Sequence, residues 1–412
     1  MSEADFYDEL ETRSADERTV AQTQALREQI ANAKANAAYW KETLDGVDAG
    51  EITLGGLKDL PVTRKSDLMA RQAEAPPYGG LAASAPEDLA RLFLSPGPIA
   101  DPEGFGRDWW RFARAFYAAG FRKGDRVINC FSYHLTPAGH MFESAAHALG
   151  IPVLPGGVGN TEGQVQAADF YKINAYSGTP DFVKILLEKA DALGTPLGLE
   201  KAMVAAGPLF PSMREEYEAR GVHTRQCYGT ADLGMVAYES QAMEGMICDE
   251  HVVVEIVTPG TGDPVEEGAV GEVLVTLLAN RDYPLIRFAT GDLSAILAGA
   301  SPCGRTAPRI KGWMGRADQT TKIRGMFVRP EQVAAFAKRH PEIAKTRVVV
   351  TSDKNKHDVM TVKVETAQDL DPATLAETAQ SVFKLKATIE PCAPGSLPDD
   401  GKVIEDARDF ES

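Results

Sequence analysis

The Thr-Gly-Asp turn at 290–292 and the arginines at 287 and 316 carry the most suggestive chemistry in this chain. An Asp placed after a Thr-Gly turn at a strand end can accept hydrogen bonds from both hydroxyls of a ribose, the use acidic residues have in dinucleotide sites. Asp292 fits that role, and the competing reading is a turn residue that caps backbone N–H groups. Arg287 and Arg316 offer the planar fork of donors that suits phosphate or ribose, against the alternative of structural ion pairs or solvated surface. Two Gly-rich turns, PGGVGNTEGQ at 155–164 and SGTPDF at 177–182, fall where strands should end. In open α/β sheets that edge is where ligands bind.

The elements that must position these residues can be read from periodicity. From Ser14 to about Leu44 the chain is Ala-, Glu- and Gln-rich with helical spacing, and Tyr39 and Trp40 supply an apolar end. Between LPVTRKSDL (60–68) and residue 290, helical stretches such as WWRFARAFYAAG and AGHMFESAAHALG alternate with the short apolar runs RVINCF, IPVLP, KAMVAA and EVLVTLL. This alternation predicts an α/β architecture with substantially parallel sheet. From about Val328 the texture becomes helix, strand, strand, helix and a final strand with a loop. That describes a compact α+β unit of about 85 residues. The boundary between the two textures falls near GRADQTTKIRG at 315–325.

Composition narrows the classes of function. Against 43 Lys and Arg stand 59 Asp and Glu, a net charge of -16, which argues against a nucleic-acid surface and against an anionic membrane as partner. Any phosphate must therefore meet a local site. The first residues, MSEADFYDELETRSADER, lack the basic start and apolar run of a secretion signal. The five cysteines, Cys130, Cys227, Cys248, Cys303 and Cys392, are an odd, scattered set, so the expected compartment is a reducing cytoplasm.

The run YPLIRFATGDLS followed by SPCGRTAPRIKGWMGRADQTTKIRG, Tyr283 to Gly325, resembles the ordered signatures of adenylate-forming enzymes. These are Tyr/Phe-x-x-Gly-Asp-Leu, then Gly-Arg-x-Asp, a basic strand and Gly. The Cys-Gly-Arg-Thr insert and the preceding Pro-Leu-Ile-Arg are similar to phenylacetate-CoA ligases. The resemblance implies an α/β fold: a large adenylate-forming domain with mixed and parallel sheets over 1–316, and a small mobile α+β domain over 317–412. It also implies a reaction in which a carboxylic acid, aryl or arylacetic, reacts with ATP to give an acyl-adenylate and then with CoA, with Mg²⁺ as cofactor. A homodimer is implied as well. Two alternatives stay open: transfer to a carrier-protein thiol, and a nucleotide- or acyl-CoA-binding protein that no longer ligates.

Residue roles follow from the same resemblance. CYGTADLG at 227–234 is similar to the family's Tyr-Gly-x-Ser/Thr-Glu turn, which implies Tyr228 and Gly229 beside the adenine and Asp232 as a ligand for Mg²⁺. Asp in place of Glu keeps a hard oxygen ligand. Ala231 stands at the hydroxyl position, and Thr230 precedes it. LSPGPIADPEGFGRD at 94–108 occupies the place of the phosphate loop; Ser95 and Gly97 match, whereas Pro96 and Pro98 each remove a backbone donor. KAMVAAGPL at 201–209 resembles the strand that packs on adenine, with Gly207 and Pro208 at its turn. FSYHLTPAGHMFESAAHALG resembles the element lining the aryl site, which nominates Tyr133, His134 and Phe142 for the acyl pocket, with core packing the alternative for Phe142. In GSLPDDGKVIED, Lys402 matches the mobile lysine of adenylation. Asp318 matches the hinge, and Gly325 the approach to CoA. Some relatives hold zinc between the segment after the Tyr-Gly turn and a Cys-Pro-Cys-Gly-Arg element. Here Ser240, Ile247 and Ser301 replace three ligands, leaving Cys303 with Cys248 and His251 nearby, so zinc is not expected.

Overall fold

The computed structural model describes residues 5–95, 98–207, 209–317, 319, 321–354, 357–368, 370–398 and 402–408. The chain divides into two compact units, Met1–Met314 and Gly315–Ser412. The fold is mixed α/β, with parallel and antiparallel sheet.

The first unit opens with the helix Ala15–Asn36, started by a capping box in which the Ser14 hydroxyl accepts from Glu17 N–H and the Glu17 carboxylate takes the Ser14 N–H. Leu26, Ile30 and Ala33 on one face, with Trp40 beyond it, are buried in the largest apolar cluster of the unit. Its centre is a nine-stranded sheet. Five of its strands run parallel in the order Val153–Pro155, Val127–Asn129, Ala175–Gly178, Lys201–Val204 and His223–Thr230. Crossover helices such as Ala138–Ala148, Thr161–Phe170 and Pro180–Leu193 join successive parallel strands. Beyond His223–Thr230 the sheet turns antiparallel through Gly234–Tyr238 and Met246–Cys248.

A second sheet of four strands holds Phe288–Ser294 between Gly271–Leu277, antiparallel, and Thr63–Arg64, parallel. EVLVTLL therefore departs from the parallel alternation in which it was read. A return by a short connection instead of a crossover helix forces antiparallel pairing. The stretch WWRFARAFYAAG is helical only over Ala113–Ala118. Asp108 accepts from Phe112 N–H and Ala113 N–H, and Arg111 adopts φ 67°, so the first half is a turn. A hairpin of Arg91–Ser95 and Ile99–Glu103 brackets the Pro-rich segment.

In the second unit the helices Pro330–Arg339 and Pro372–Phe383 accompany a four-stranded sheet, ordered Thr388–Cys392, Asp358–Glu365, Lys345–Ser352 and Ile404–Asp406. Phe336, Val348, Val362 and Phe383 are wholly buried in its core. The hairpin Thr321–Ile323 and Met326–Val328 turns on Arg324 and Gly325 with φ 49° and 83°. Positive φ at both central residues is the signature of a two-residue hairpin turn whose twist matches its strands.

Candidate active site

The carboxyl ends of the parallel strands bring together residues far apart in the chain. His223–Thr230 ends in Tyr228-Gly229-Thr230. Glycine is required at 229, because a Cβ there would lie 2.5 Å from the Gly234 carbonyl oxygen. The Thr230 hydroxyl accepts from Leu233 N–H at 3.1 Å and closes the turn that delivers Asp232.

Asp292, on the neighbouring sheet, is 8 % exposed. One of its oxygens accepts from the Tyr228 hydroxyl at 2.8 Å and the other from Trp313 Nε1 at 3.0 Å, while Thr290 Oγ1 accepts the Asp292 N–H at 3.1 Å. Two donors of fixed geometry thus set the plane of the carboxylate. Tyr228 and Asp292, separated by 64 residues in sequence, are in direct contact.

Asp232 is 1 % exposed, and its Oδ2 pairs with the Lys65 ammonium. Its Oδ1 makes no hydrogen bond. Asp101 is wholly buried, and neither of its carboxylate oxygens has a partner. Burial first, and then the charge of Asp232, push the Asp101 pKa up to about 8, against the opposing pull of Lys65 and of the nearby Ser95 hydroxyl, which falls short of hydrogen-bond geometry. Burial disfavours the Lys65 ammonium, yet Asp232, Asp101 and Asp292 together hold its pKa above the ordinary value. Lys65, Asp101 and Trp313 carried no assignment in the sequence reading. Their only signal was proximity to a motif: Trp313 lies between two signatures, and Asp101 follows the Pro-rich loop.

At the ends of the strands Val127–Asn129 and Ala175–Gly178 a polar chain continues the edge. Ser177 donates to Asn129 Oδ1 at 3.1 Å, Asn129 Nδ2 donates to Tyr133 at 2.8 Å, and the Tyr133 hydroxyl donates to Glu143 at 2.8 Å. Burial, then Glu143, raise the Tyr133 pKa. Tyr133 is half-buried and His134 is exposed. Phe142, by contrast, belongs to the core, with ring centroids 4.3 and 4.7 Å from Phe131 and Phe112. That packing is the core alternative named for it.

Arg287 is engaged by structural partners. It is 2 % exposed, its Nη1 and Nη2 donate to the carbonyls of Lys58, Leu60 and Gly262, and it pairs with Glu255 at 3.0 Å. A guanidinium whose donors are taken up by backbone and carboxylate is a clamp on the 58–60 loop. The remaining nominations disperse. The Ser95 hydroxyl donates to Ile99 O at 3.2 Å across the hairpin turn. Gly207 is exposed, and a Cβ there would meet only Pro180 Cδ at 3.4 Å. Arg316, Gly325 and Lys402 belong to the second unit, the first partly buried and the other two exposed. Gly97, Pro208 and Asp318 lie outside the described residues.

Cys303 Sγ lies 3.0 Å from Ser301 Oγ and 3.7 Å from Arg305. Among the described residues no group of three or more His, Cys, Asp or Glu side chains is arranged to hold a metal ion. Nor, among them, is any helix long and apolar enough to cross a membrane.

No family model matches the chain. A phenylacetate-coenzyme A ligase of Thermus thermophilus is 31% identical over 381 residues, 88% of this chain and 84% of that one. The phenylacetate-coenzyme A ligase of Escherichia coli is 28% identical over 404 residues, 93% and 90% of the two chains. Among solved structures, a 2-hydroxyisobutyryl-CoA ligase in complex with its acyl-AMP and CoA superposes with a TM-score of 0.82 at 24% identity, covering 100% of this chain and 94% of that one. The same ligase in its postadenylation state gives a TM-score of 0.72 at 25% identity, covering 98% and 93%.

Proposed function

Because the chain belongs to the phenylacetate-CoA ligase family of adenylate-forming enzymes, we propose that the acid it activates is an arylacetic or other aryl acid. The reaction itself is AMP-forming acid–CoA ligation through an acyl-adenylate. A carboxylate oxygen attacks the α-phosphorus of ATP, and pyrophosphate leaves. The CoA sulfur then attacks the acyl carbon, and AMP leaves with the bonding electrons. The first step is needed because an oxide dianion is no leaving group, whereas AMP is a good one.

The observation that carries the assignment of residues is the Tyr228–Asp292–Trp313 arrangement at the carboxyl ends of the strands. In this reading Asp292, its plane set by two donors, receives the ribose hydroxyls and so fixes the α-phosphorus along the line of attack. Such positioning accounts for much of the catalysis of a displacement at phosphorus. Thr230 offers its hydroxyl toward the α-phosphate in place of Ala231. Tyr133, held between Asn129 and Glu143, and the exposed His134 border the acyl group. Lys402 meets the growing negative charge at phosphorus during the first step. Gly325 accompanies CoA in the second.

The buried Oδ1 of Asp232, which lacks a partner, fits a hard divalent cation. When bound, Mg²⁺ would neutralise the departing pyrophosphate. We also read the enzyme as a cytoplasmic homodimer that takes CoA itself as acceptor. Sedimentation velocity tests the oligomer, and a single species of about one chain mass would remove it.

The residue test separates the two half-reactions. Lys402→Ala should abolish acyl-adenylate formation while largely sparing thioester formation from preformed acyl-adenylate; equal loss of both would remove Lys402 from its role. Mass detection of acyl-CoA over a panel of aryl, arylacetic and short aliphatic acids tests the substrate class. Preference for aliphatic acids would overturn it.

A further inference from the structure

We propose that Asp101 is a second carboxylate ligand for the divalent cation that accompanies ATP, acting with Asp232 from the hairpin that frames the Pro-rich loop. The inference rests on the reading of Asp232 as the first such ligand.

Asp101 sits on the strand Ile99–Glu103, wholly buried, with both oxygens lacking hydrogen-bond partners. A buried carboxylate without a partner is costly unless something compensates its charge. The strand is fixed against the segment that carries Lys65: Gln72 donates to Ala100 O at 2.9 Å and accepts from Ala100 N–H at 2.8 Å. This pair of hydrogen bonds to one peptide fixes the strand, and the charges of both Lys65 and Asp232 reach Asp101. The single Lys65 ammonium is bonded to Asp232, so one monovalent cation faces two buried acids, and Asp101 holds its proton near neutral pH.

A neutral side chain points independently to a ligand at the same place. Tyr283 is wholly buried, its hydroxyl has Gln72 nearby but no partner in hydrogen-bond geometry, and it lies close enough to Asp232 and Asp101 for both charges to bear on it. Three buried polar groups from three elements thus converge with four oxygen atoms unsatisfied: Asp101 Oδ1 and Oδ2, Asp232 Oδ1 and the Tyr283 hydroxyl. Hard oxygens of this kind suit Mg²⁺, which takes one or two carboxylates together with phosphate oxygens and water. Until the cation arrives Lys65 answers the charge of Asp232, and on binding the cation would take the place of the Asp101 proton. The arrangement also gives the hairpin a purpose that its loop lacks. Pro96 and Pro98 withhold backbone donors from a triphosphate, and a two-carboxylate cation site shifts the grip on the phosphates from N–H donors to the metal.

The test is Mn²⁺ binding to the full chain with α,β-methylene-ATP, read by the electron paramagnetic resonance signal of free Mn²⁺. Wild type, Asp101→Asn, Asp101→Ser and Asp232→Asn are compared, and AMP binding in EDTA reports the folded, nucleotide-competent fraction of each. Both Asp101 variants should weaken Mn²⁺ at least about tenfold with AMP affinity unchanged, and Asp232→Asn should weaken it at least as much. Mn²⁺ affinity within twofold of wild type in the Asp101 variants, with a loss in Asp232→Asn, overturns the role of Asp101 and leaves that of Asp232 standing. Unchanged affinity in Asp232→Asn overturns the reading of Asp232 and this inference with it.

Discussion

Two clusters in the first unit both bury acids beside cations and behave oppositely. Around the N-terminal segment, Glu11 pairs with Arg305 at 2.9 Å and accepts from the Tyr238 hydroxyl at 2.6 Å, and Asp249 pairs with Arg111 and Arg114 at 2.9 and 2.8 Å. Glu250 pairs with Arg13 and Arg18 at 2.6 and 2.9 Å. Every carboxylate oxygen of these three acids has a partner. At the strand ends, Asp232 and Asp101 share one Lys65, and three of their four oxygens have none. Burying an ion pair costs desolvation that complete pairing offsets, so the first cluster costs little and fastens the chain's start to Thr306 and Tyr238. The second cluster lacks that pairing: one ammonium faces two buried acids, and Asp101 is left to hold its proton, its pKa raised by burial and by Asp232. Stability alone would not select it, whereas a site that must receive a cation with its nucleotide would.

That contrast can be broken by substitution on each side. The largest effect is expected at Asp232: Asp232→Asn should lower the acid-dependent exchange of pyrophosphate into ATP by about 100-fold or more, with a smaller loss of stability than Glu11→Gln because Asp101 still faces Lys65. A sharp fall in stability with activity per folded molecule intact would assign Asp232 to the structural class. Next comes Glu11→Gln, which leaves Arg305 buried without its counter-charge. Denaturant unfolding should show a loss of about 3 kcal/mol, while the exchange rate per folded molecule stays within twofold of wild type. Smallest is Tyr228→Phe, which removes one donor to the Asp292 carboxylate, about 1 kcal/mol. It should raise the KM for ATP about fivefold with little change in kcat; an unchanged KM would detach Tyr228 from the nucleotide.

Much of the candidate site could be proposed from the sequence because its signals are local. Asp292 stands in a contiguous run of signatures, and Tyr228, Gly229 and Asp232 fall within five residues, so their kinds and order were visible without a fold. Three of the five parallel strands were legible for the same reason, since RVINCF, IPVLP and KAMVAA are each followed by a helix that crosses over, whereas EVLVTLL is not. What escaped was non-local. Lys65 meets Asp232 across 167 residues, and Asp101 reads as one more loop acid until the hairpin buries it. Arg287 sits inside the signature run, yet its donors are claimed by three carbonyls and Glu255, a fact of tertiary packing. Phe142 was ambiguous in sequence because a core aromatic and a pocket aromatic share one pattern; only its neighbours Phe131 and Phe112 decide.

The most direct measurement is the exchange of labelled pyrophosphate into ATP by the purified wild-type chain, with and without an arylacetic acid. Exchange that requires both the acid and a divalent cation, and that EDTA stops, is the expected result. A folded chain that binds AMP yet exchanges no pyrophosphate with any acid in the panel would contradict the account.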